Sequence, residues 1–262
     1  MNAAHTETAA VESLLAFWRE AGVDACYEDA PVDRTYVEPL PARKAVLKAT
    51  EAVAAPCDTG AAASEARRLA AGAETLDALA QAIAGFEGCG LRGMGARQAV
   101  FARGNPNAPI LIVGEAPGAD EDDQGQPFVG KAGKLLDRML AAAGLADQVF
   151  ITNTVYWRPP GNRTPSAEEQ AACAPFVERV LELLQPRAVL LLGAAATRSI
   201  LKTEDGILKT RGKWVEWRLA EGGVSAPALP TLHPAFLLRQ PAAKRQVWQD
   251  ILSLAVRVEE TA

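Results

Sequence analysis

The chain has 262 residues, a formal net charge of −5 and four cysteines. That length is enough for one sizeable core with a small appendage. No apolar run reaches the roughly 20 residues that a membrane-spanning helix needs, and the N-terminus lacks the basic and apolar regions of an export signal. We therefore expect a cytoplasmic protein with no membrane partner. The cysteines are widely spaced, without a C-x-x-C pair, which gives little support to a zinc site or a disulfide framework.

The negative charge is concentrated near the N-terminus. Residues 1–85 carry a net charge of −6, and residues 86–262 carry +1. Because local potential rather than net charge attracts phosphates, the second part of the chain can still carry a basic rim. The charge therefore permits a DNA partner without predicting one.

The first 74 residues predict a helix followed by an extension rich in Ala and Pro. Four apolar side chains form one stripe of a helix over 11–21, which stops at Gly22. From Tyr27 to about Ala73 the helical spacing of apolar residues is lost among Pro, Ala and scattered charges. This stretch predicts an extended connector that contains one helix. Thr75 can cap the next helix, which begins the main part of the chain. We divide the chain into an extension, 1–74, and a main domain, 75–262.

The main domain alternates between strand and helix patterns. Short apolar runs predict strands at 110–113, 149–155, 188–192 and 228–232. Helical spacing occupies 132–143, 167–184 and 194–201. Strands separated by helices are typical of parallel βαβ units, so we predict an α/β fold: three layers, α/β/α, around a central, mostly parallel four-stranded sheet. Residues 214–218 predict an additional edge strand or hairpin arm.

The most informative segment follows the first predicted strand. It reads G-E-A-P-G at 114–118 and P-F-V-G-K-A-G-K-L-L at 127–136. This places the carboxylate of Glu115, the ring of Phe128 and the cations Lys131 and Lys134 at the carboxyl edge of the sheet, where open α/β sheets bind ligands. A carboxylate, a flat ring and cations on one rim suit a flat, polar ligand attached to phosphate.

Two later segments also bring polar side chains to strand ends. The amide of Asn153 lies in an apolar run, where it either pairs with both N3–H and O4 of a base or bonds to neighbouring backbone. His233 ends a strand, where it either donates a hydrogen bond to an oxygen that gains negative charge or is a core histidine. The apolar loop from His233 to Arg239 is either a wedge that enters a base stack or a helix start.

In order and spacing these segments, with R-P-P-G-N-R-T-P at 158–165 and A-V-L-L-L-G-A-A-A at 188–196, resemble family-4 uracil-DNA glycosylases over roughly residues 75–252. The resemblance implies a monofunctional enzyme that flips uracil out of DNA and hydrolyses its N-glycosidic bond. Uracil-containing DNA is the expected substrate, and free uracil and an abasic strand are the expected products, in base excision repair. We expect a monomer without a covalent lysine intermediate, in which 75–262 is the catalytic domain.

The resemblance also assigns site residues. The catalytic residues are Glu115, Asn162 and His233. The substrate-binding residues are Gly114, Ala116, Gly118, Glu121, Phe128 and Asn153. The DNA-binding residues are Lys131, Lys134, Arg163 and Arg239.

Each role follows the position of the matching family residue. His233 stabilises charge on O2 of the leaving uracil, Glu115 stabilises the sugar cation or orients water, and Asn162 is a second candidate for holding water. Phe128 is the ring on which uracil stacks, and Asn153 reads its Watson–Crick edge. A fixed group at Glu121 excludes the methyl group of thymine. Backbone N–H groups around Gly118 and Gly130 are expected to bind the base.

The chain departs from the family at its cysteines. Most family-4 members ligate a four-iron cluster with four cysteines. Here Phe86 stands in place of the first and Trp157 in place of the third, while Cys89 and Cys173 match the other two. We therefore expect no iron–sulfur cluster and no other cofactor or metal, with both aromatic side chains filling the vacated volume.

Three alternative functions stay open. The first is a glycosylase of broader specificity for deaminated bases such as xanthine or hypoxanthine. The second is a non-catalytic module that binds damaged DNA. The third is a nucleotide-binding scaffold, which is weakened because the G-x-G-x-x-G fingerprint does not follow the first strand.

Overall fold

The computed structural model describes residues 59–219 and 224–260. Its strands are β1 (Ala102–Gly104), β2 (Ile110–Gly114), β3 (Val149–Asn153), β4 (Ala188–Leu192), β5 (Val215–Arg218) and β6 (Ser225–Thr231). Its α-helices are α1 (Thr59–Ala71), α2 (Leu76–Gly85), α3 (Ala119–Gln124), α4 (Lys131–Ala142), α5 (Ala167–Leu184), α6 (Gly193–Leu201), α7 (Ile207–Thr210), α8 (Pro234–Arg239) and α9 (Lys244–Glu260). Short 3₁₀ turns lie at Gly90–Gly93, Ala146–Gln148, Pro160–Asn162 and Pro241–Ala243.

The strands form one sheet in the order β1-β3-β2-β4-β6-β5. The four inner strands are parallel, and β1 and β5 pair antiparallel at the two edges. The predicted parallel core is confirmed, but the sheet has six strands rather than four. β5 is the edge strand expected near 214–218. β1 gave no sequence signal because three residues are too few to show an alternating pattern.

The sheet divides the core into two halves, and alternate side chains of its buried strands point into one half or the other. On β2, Leu111 and Val113 face one half, and Ile110 and Ile112 face the other. Helices α1, α2 and α5 contribute to the first half, whereas α4, α8 and α9 contribute to the second. The predicted three-layer α/β/α arrangement is therefore confirmed.

The N-terminal extension is described only from Thr59. The helix predicted over 11–21 lies outside the described residues. The helix expected within the connector is α1, and its Ala62, Ala66 and Ala70 are buried, at a spacing that places small side chains on one face. Thr75 caps α2 as predicted, because its hydroxyl accepts the Ala78 N–H at 3.1 Å.

The long helices are amphipathic rather than uniformly apolar. α9 buries Val247, Ile251 and Leu254 on one side, whereas Leu252 and Val256 on the other side are exposed. Within the described ranges, no helix combines the length and the apolar character needed to cross a membrane.

Candidate active site

A pocket of about 520 Å³ lies at the carboxyl end of the parallel strands. The segments that follow β2, β3 and β6 all contribute to it. Its lining consists of Glu115, Ala116, Pro117, Gly118, Glu121, Phe128, Ala132, Pro159, Asn162, Arg163, Thr164, His233, Ala235, Phe236 and Arg239. The structure thus brings together nine of the thirteen predicted site residues. The other four are Gly114, Lys131, Lys134 and Asn153.

Two flat rings form part of the pocket wall. The ring centroids of Phe128 and His233 are 5.7 Å apart, with an angle of 33° between the planes. Phe128 is only 6% exposed, and its backbone has a φ of 57°, in the left-handed region that a bulky residue rarely adopts. Such a conformation persists only where the surroundings enforce it.

His233 is fixed as a neutral hydrogen-bond donor. It caps α8, where its Nδ1 accepts the Ala235 N–H at 3.1 Å. Burial, reinforced by the positive charge of Arg239, lowers the pKa of His233 to about 4. A neutral ring whose Nδ1 accepts a hydrogen bond carries its hydrogen on Nε2. His233 can therefore donate from Nε2 without carrying a charge.

Glu121 holds the backbone of the glycine-rich loop. One carboxylate oxygen accepts the N–H groups of Val129 and Gly130 at 3.0 and 2.9 Å, and the other accepts the Gly118 N–H at 3.0 Å. Glu121 thus already accepts the N–H groups of Gly118 and Gly130 themselves, and base binding by other N–H groups around these glycines stays a prediction. The negative charge expected beside the pocket is present, but three donors immobilise it.

Arg103, on β1, holds the same loop from the carbonyl side, and sequence reasoning missed it. Its guanidinium donates to the Pro127 carbonyl at 2.8 Å and the Phe128 carbonyl at 3.2 Å. It also pairs with Asp137 of α4 at 2.6 Å. Nothing near residue 103 in the sequence signals this role, since it depends on β1 pairing with β3.

Asn153 and Gly114 are not among the residues that line the pocket. The parallel register of β2 and β3 pairs these two residues. Asn153 is 1% exposed, and its Oδ1 has no hydrogen-bond partner among the described residues. A buried acceptor without a partner costs stability, so it is a candidate for binding a ligand. A Cβ on Gly114 would overlap both Asn153 Oδ1 and the Phe128 ring, so glycine leaves the space that the two side chains share.

Glu115 and Asn162 both line the pocket and come from the segments that follow β2 and β3. Glu115 follows β2, and its carbonyl accepts the Thr154 hydroxyl at 2.7 Å, which ties the two strand ends together. Asn162 has a φ of 55°, and its Oδ1 accepts a hydrogen bond from Arg158 Nε at 2.7 Å. That bond orients the Asn162 amide.

The predicted DNA-binding cations differ in their surroundings. Arg239 lines the pocket and is exposed, and Lys131 and Lys134 lie exposed on the first turn of α4, outside the lining. Arg163 also lines the pocket, but its guanidinium makes two hydrogen bonds to the Glu169 carboxylate at 2.8 and 2.6 Å. Its charge is therefore partly neutralised by that carboxylate.

Two thiols and two aromatic side chains lie together in the half of the core that contains α5. Cys89 and Cys173 are both buried. Interaction with the Cys89 thiol, together with burial, raises the pKa of Cys173 well above its ordinary value. Phe86 and Trp157 are buried, as expected, and their ring centroids are 6.4 Å apart.

The chain is similar to several type-4 uracil-DNA glycosylases. It is 42% identical to the protein from Sulfurisphaera tokodaii over 158 residues, which are 58% of this chain and 71% of that protein. It is 41% identical to the protein from Thermotoga maritima over 156 residues, 58% of this chain and 79% of that one. A type-5 uracil-DNA glycosylase from Pyrobaculum aerophilum is 36% identical over 115 residues, 38% of this chain and 50% of the relative.

These relatives overturn the expectation that the chain has no cofactor, because type-4 uracil-DNA glycosylases are iron–sulfur proteins. The fit of the described residues to a four-iron cluster is incomplete. Such a cluster takes four thiolates, and the described residues supply Cys89 and Cys173 only. The cysteines at 26 and 57 lie outside the described residues. The side chains that line the pocket are therefore the groups to which the chemistry of this site is assigned.

The sequence model of the uracil DNA glycosylase superfamily matches residues 101–252 of this chain, more than half of its length. That range contains all thirteen predicted site residues and every strand of the sheet. The chain therefore belongs to the uracil DNA glycosylase superfamily, as a family-4-like uracil-DNA glycosylase.

Proposed function

We propose that this protein flips uracil out of DNA and hydrolyses the bond between C1′ and N1, releasing free uracil and an intact abasic strand. The observation that carries the proposal is the pocket itself. A stacking ring, Phe128, a neutral hydrogen-bond donor, His233, and a carboxylate, Glu115, line one cavity that is about the size of a small ligand site. The reaction needs these three kinds of group.

The leaving base is stabilised by His233. As the glycosidic bond lengthens, its electron pair moves onto the uracil ring and charge collects on O2. A hydrogen bond from Nε2 of a neutral His233 stabilises that charge without first placing a cation in the pocket. Because Nδ1 is held by the Ala235 N–H, the ring does not need to reorient as the bond breaks.

The sugar is left with oxocarbenium character, and water must reach C1′ to complete hydrolysis. Glu115 lines the pocket directly after β2. We assign its carboxylate two roles, to stabilise the sugar cation and to orient the water. Asn162 already accepts a hydrogen bond from Arg158 at Oδ1. We therefore assign Asn162 a supporting role, in which its amide N–H groups donate to the water or to a DNA phosphate.

Base selection is assigned to three side chains. Phe128 offers a ring face for stacking, which is worth about 1–3 kcal/mol for a base on an aromatic side chain. The unpartnered Oδ1 of Asn153 accepts N3–H of uracil, and its N–H group donates to O4. Cytosine has a donor where uracil has O4, so it is rejected. The immobile carboxylate of Glu121 leaves no room for the methyl group of thymine.

DNA binding is assigned to the exposed cations around the pocket. We assign phosphate contacts to Lys131, Lys134 and Arg239, and a smaller contribution to Arg163 because it pairs with Glu169. On α8, beside the pocket, Leu238 is 47% exposed while Leu237 is fully buried. We assign Leu238 as the wedge that fills the base stack when the nucleotide is extruded.

Alkali cleavage of an end-labelled oligonucleotide that contains one uracil tests the proposal. Monofunctional excision leaves the strand intact until alkali breaks it at the abasic site. We expect excision by the unmodified protein and a loss of at least about 100-fold in Glu115→Gln and in His233→Ala, by analogy with the loss of a general catalyst or a charge-stabilising donor. Glu216→Gln on edge strand β5, which is outside the pocket, is the control and should retain full activity.

Three outcomes separate the alternatives. Cleavage without alkali would contradict the monofunctional reaction, since strand scission would then accompany base removal. Excision of hypoxanthine or xanthine from matched oligonucleotides at comparable rates would replace uracil specificity with a broader one. Binding of the uracil oligonucleotide without release of any base would leave the fold as a recognition module.

A further inference from the structure

We propose that Arg103 is a positioning residue that holds Phe128 in its stacking orientation. Arg103 does not line the pocket. It acts on the pocket through the backbone of residues 127 and 128, and Glu121 opposes it from the other side of the same loop. The proposal rests on the proposed function only in naming uracil as the base that stacks.

The loop needs an external support because of its own conformation. Phe128 has a φ of 57°. A side chain with a Cβ is strained in this region, and a bulky aromatic residue more than most. Freed from its contacts, the loop would relax toward negative φ, and the Phe128 ring would leave its place opposite His233.

The contacts that hold the loop lie on both sides of Phe128. On the C-terminal side of Phe128, Glu121 accepts the N–H groups of Val129 and Gly130. Arg103 donates to the Pro127 carbonyl, which precedes it, and to the carbonyl of Phe128 itself. The peptide groups on both sides of the strained residue are therefore bound to charged side chains, and charge-assisted hydrogen bonds are the stronger kind.

The geometry requires an arginine. A guanidinium presents donors in a planar fork, so one side chain can reach two adjacent carbonyls and a carboxylate at the same time. Here the carboxylate is that of Asp137 on α4, which fixes the guanidinium against the helix that begins after the loop. Gly133 completes the arrangement, because a Cβ there would overlap the Phe128 carbonyl that Arg103 binds.

The chain contains a closely matched control in Arg179. Its guanidinium donates twice to a backbone carbonyl, that of Ala73, and once to a carboxylate, that of Glu182. The Arg179 side chain is 23% exposed and the Arg103 side chain 22%. Arg179 ties α5 to the segment before α2, away from the pocket lining. Removing either guanidinium should therefore lower the stability of the fold by a similar amount. Of the two, Arg103 is the one that binds the backbone at Phe128.

The first measurement is the nuclear Overhauser contact between the rings of Phe128 and His233, whose centroids are 5.7 Å apart. The sequence contains only two histidines, which makes the His233 ring resonances assignable. We expect the contact in the unmodified protein and in Arg179→Met, and its loss in Arg103→Met. Thermal unfolding of the two variants compares their stabilities. This measurement needs no enzymatic activity.

The second measurement is inhibition by free uracil, the expected product, in the oligonucleotide assay. Loosening the stacking ring should raise the inhibition constant about 10-fold in Arg103→Met, within the range expected for losing much of one stacking contact. Arg179→Met should leave the inhibition constant unchanged. Arg103→Lys, which keeps the charge and the pairing with Asp137 but not the two-carbonyl fork, should fall between the two.

The outcomes of the two measurements are distinguishable. A retained ring contact together with an unchanged inhibition constant in Arg103→Met would overturn the proposal. Equal effects in Arg103→Met and Arg179→Met would also overturn it, because the effect would then be one of general stability. If the unmodified protein excises no uracil but Arg103→Met alone loses the ring contact, the proposed function fails and the positioning role stands.

Discussion

Gly114 and the ring of Phe128 are so close that a Cβ on Gly114 would lie 2.5 Å from Cζ of the ring. The same Cβ would also overlap Oδ1 of Asn153. The last residue of β2 thus has no side chain at the point where the stacking ring and the proposed base-reading amide approach each other. The space is set by the β2–β3 register, which pairs Gly114 with Asn153.

Gly114→Ala should therefore displace Phe128 or Asn153. We expect uracil excision to fall at least about 10-fold, since a misplacement of about 1 Å in a catalytic site can cost as much as 100-fold. Overpacking should also lower the free energy of unfolding by about 1–3 kcal/mol. The measurements are the excision assay and urea denaturation. Gly85→Ala, where a Cβ meets nothing within 4 Å, is the control. Full activity in Gly114→Ala would mean that the pocket does not use this contact.

The inner strands and the pocket segments could be predicted from sequence because each depends on local signals. Buried strands are apolar runs, and in parallel sheets their carboxyl ends meet at one edge. The side chains of Glu115 and His233 follow such runs, so the sequence alone predicts that both lie at that edge. The glycines and prolines of the first motif mark its loop in the same way.

The supports of the pocket could not be predicted, because they depend on tertiary contacts. Arg103 lies on a strand of three residues whose only signal is its pairing with β3. The left-handed conformation of Phe128 contradicts the preference of an aromatic residue, so no local rule would place it there. Glu121 was expected beside the base, but its three backbone hydrogen bonds form only once the loop has folded around it.

Asn153→Leu should separate stability from activity. Leucine has a similar volume and removes the buried acceptor that has no partner among the described residues. We expect the free energy of unfolding to stay constant or to rise by about 1 kcal/mol, because an unsatisfied buried polar group is costly. Uracil excision should fall by at least about 100-fold, because a site built to hydrogen-bond a base loses that recognition. Urea denaturation and the alkali assay measure the two effects. A large loss of stability would instead indicate that the amide supports the fold.

The low pKa of His233 predicts how stability depends on pH. The pKa is about 4 in the folded protein and about 6.5 in an unfolded chain. As the pH falls from about 6.5 to about 4, the unfolded state therefore takes up a proton that the folded state does not, and this contribution destabilises the fold by at most about 3 kcal/mol. Below about pH 4 the contribution is constant.

His233→Asn provides the comparison for this effect. Asparagine is a good helix N-cap and can still accept the Ala235 N–H, but it does not titrate in this range. Urea denaturation of both proteins between pH 7 and pH 4 should show the unmodified protein losing more stability than His233→Asn. Parallel curves would mean that His233 titrates near its ordinary pKa in the folded protein.

Leu238→Ala should affect duplex and single-stranded substrates differently. Extruding a nucleotide from a duplex costs a few kcal/mol of unstacking and unpairing, which a wedge helps to offset. We expect the rate of excision from duplex DNA to fall about 10-fold. The rate of excision from single-stranded DNA should stay within roughly twofold of that of the unmodified protein. Leu252→Ala, at a similarly exposed leucine on α9, should change neither rate. Equal losses on the two substrates would contradict the wedge.

Trp157→Ala should destabilise the protein more than any pocket substitution described above. Trp157 is 2% exposed and contacts the rings of Phe86 and Tyr156 in the half of the core that contains α5. Truncating a buried aromatic residue to alanine costs about 3–5 kcal/mol, since contacts are lost and a cavity remains. Urea denaturation measures this loss, and Leu208→Ala, at a side chain that is 75% exposed, is the control. A loss below about 1 kcal/mol would mean that the surrounding core collapses into the space, or that the ring is not buried in solution.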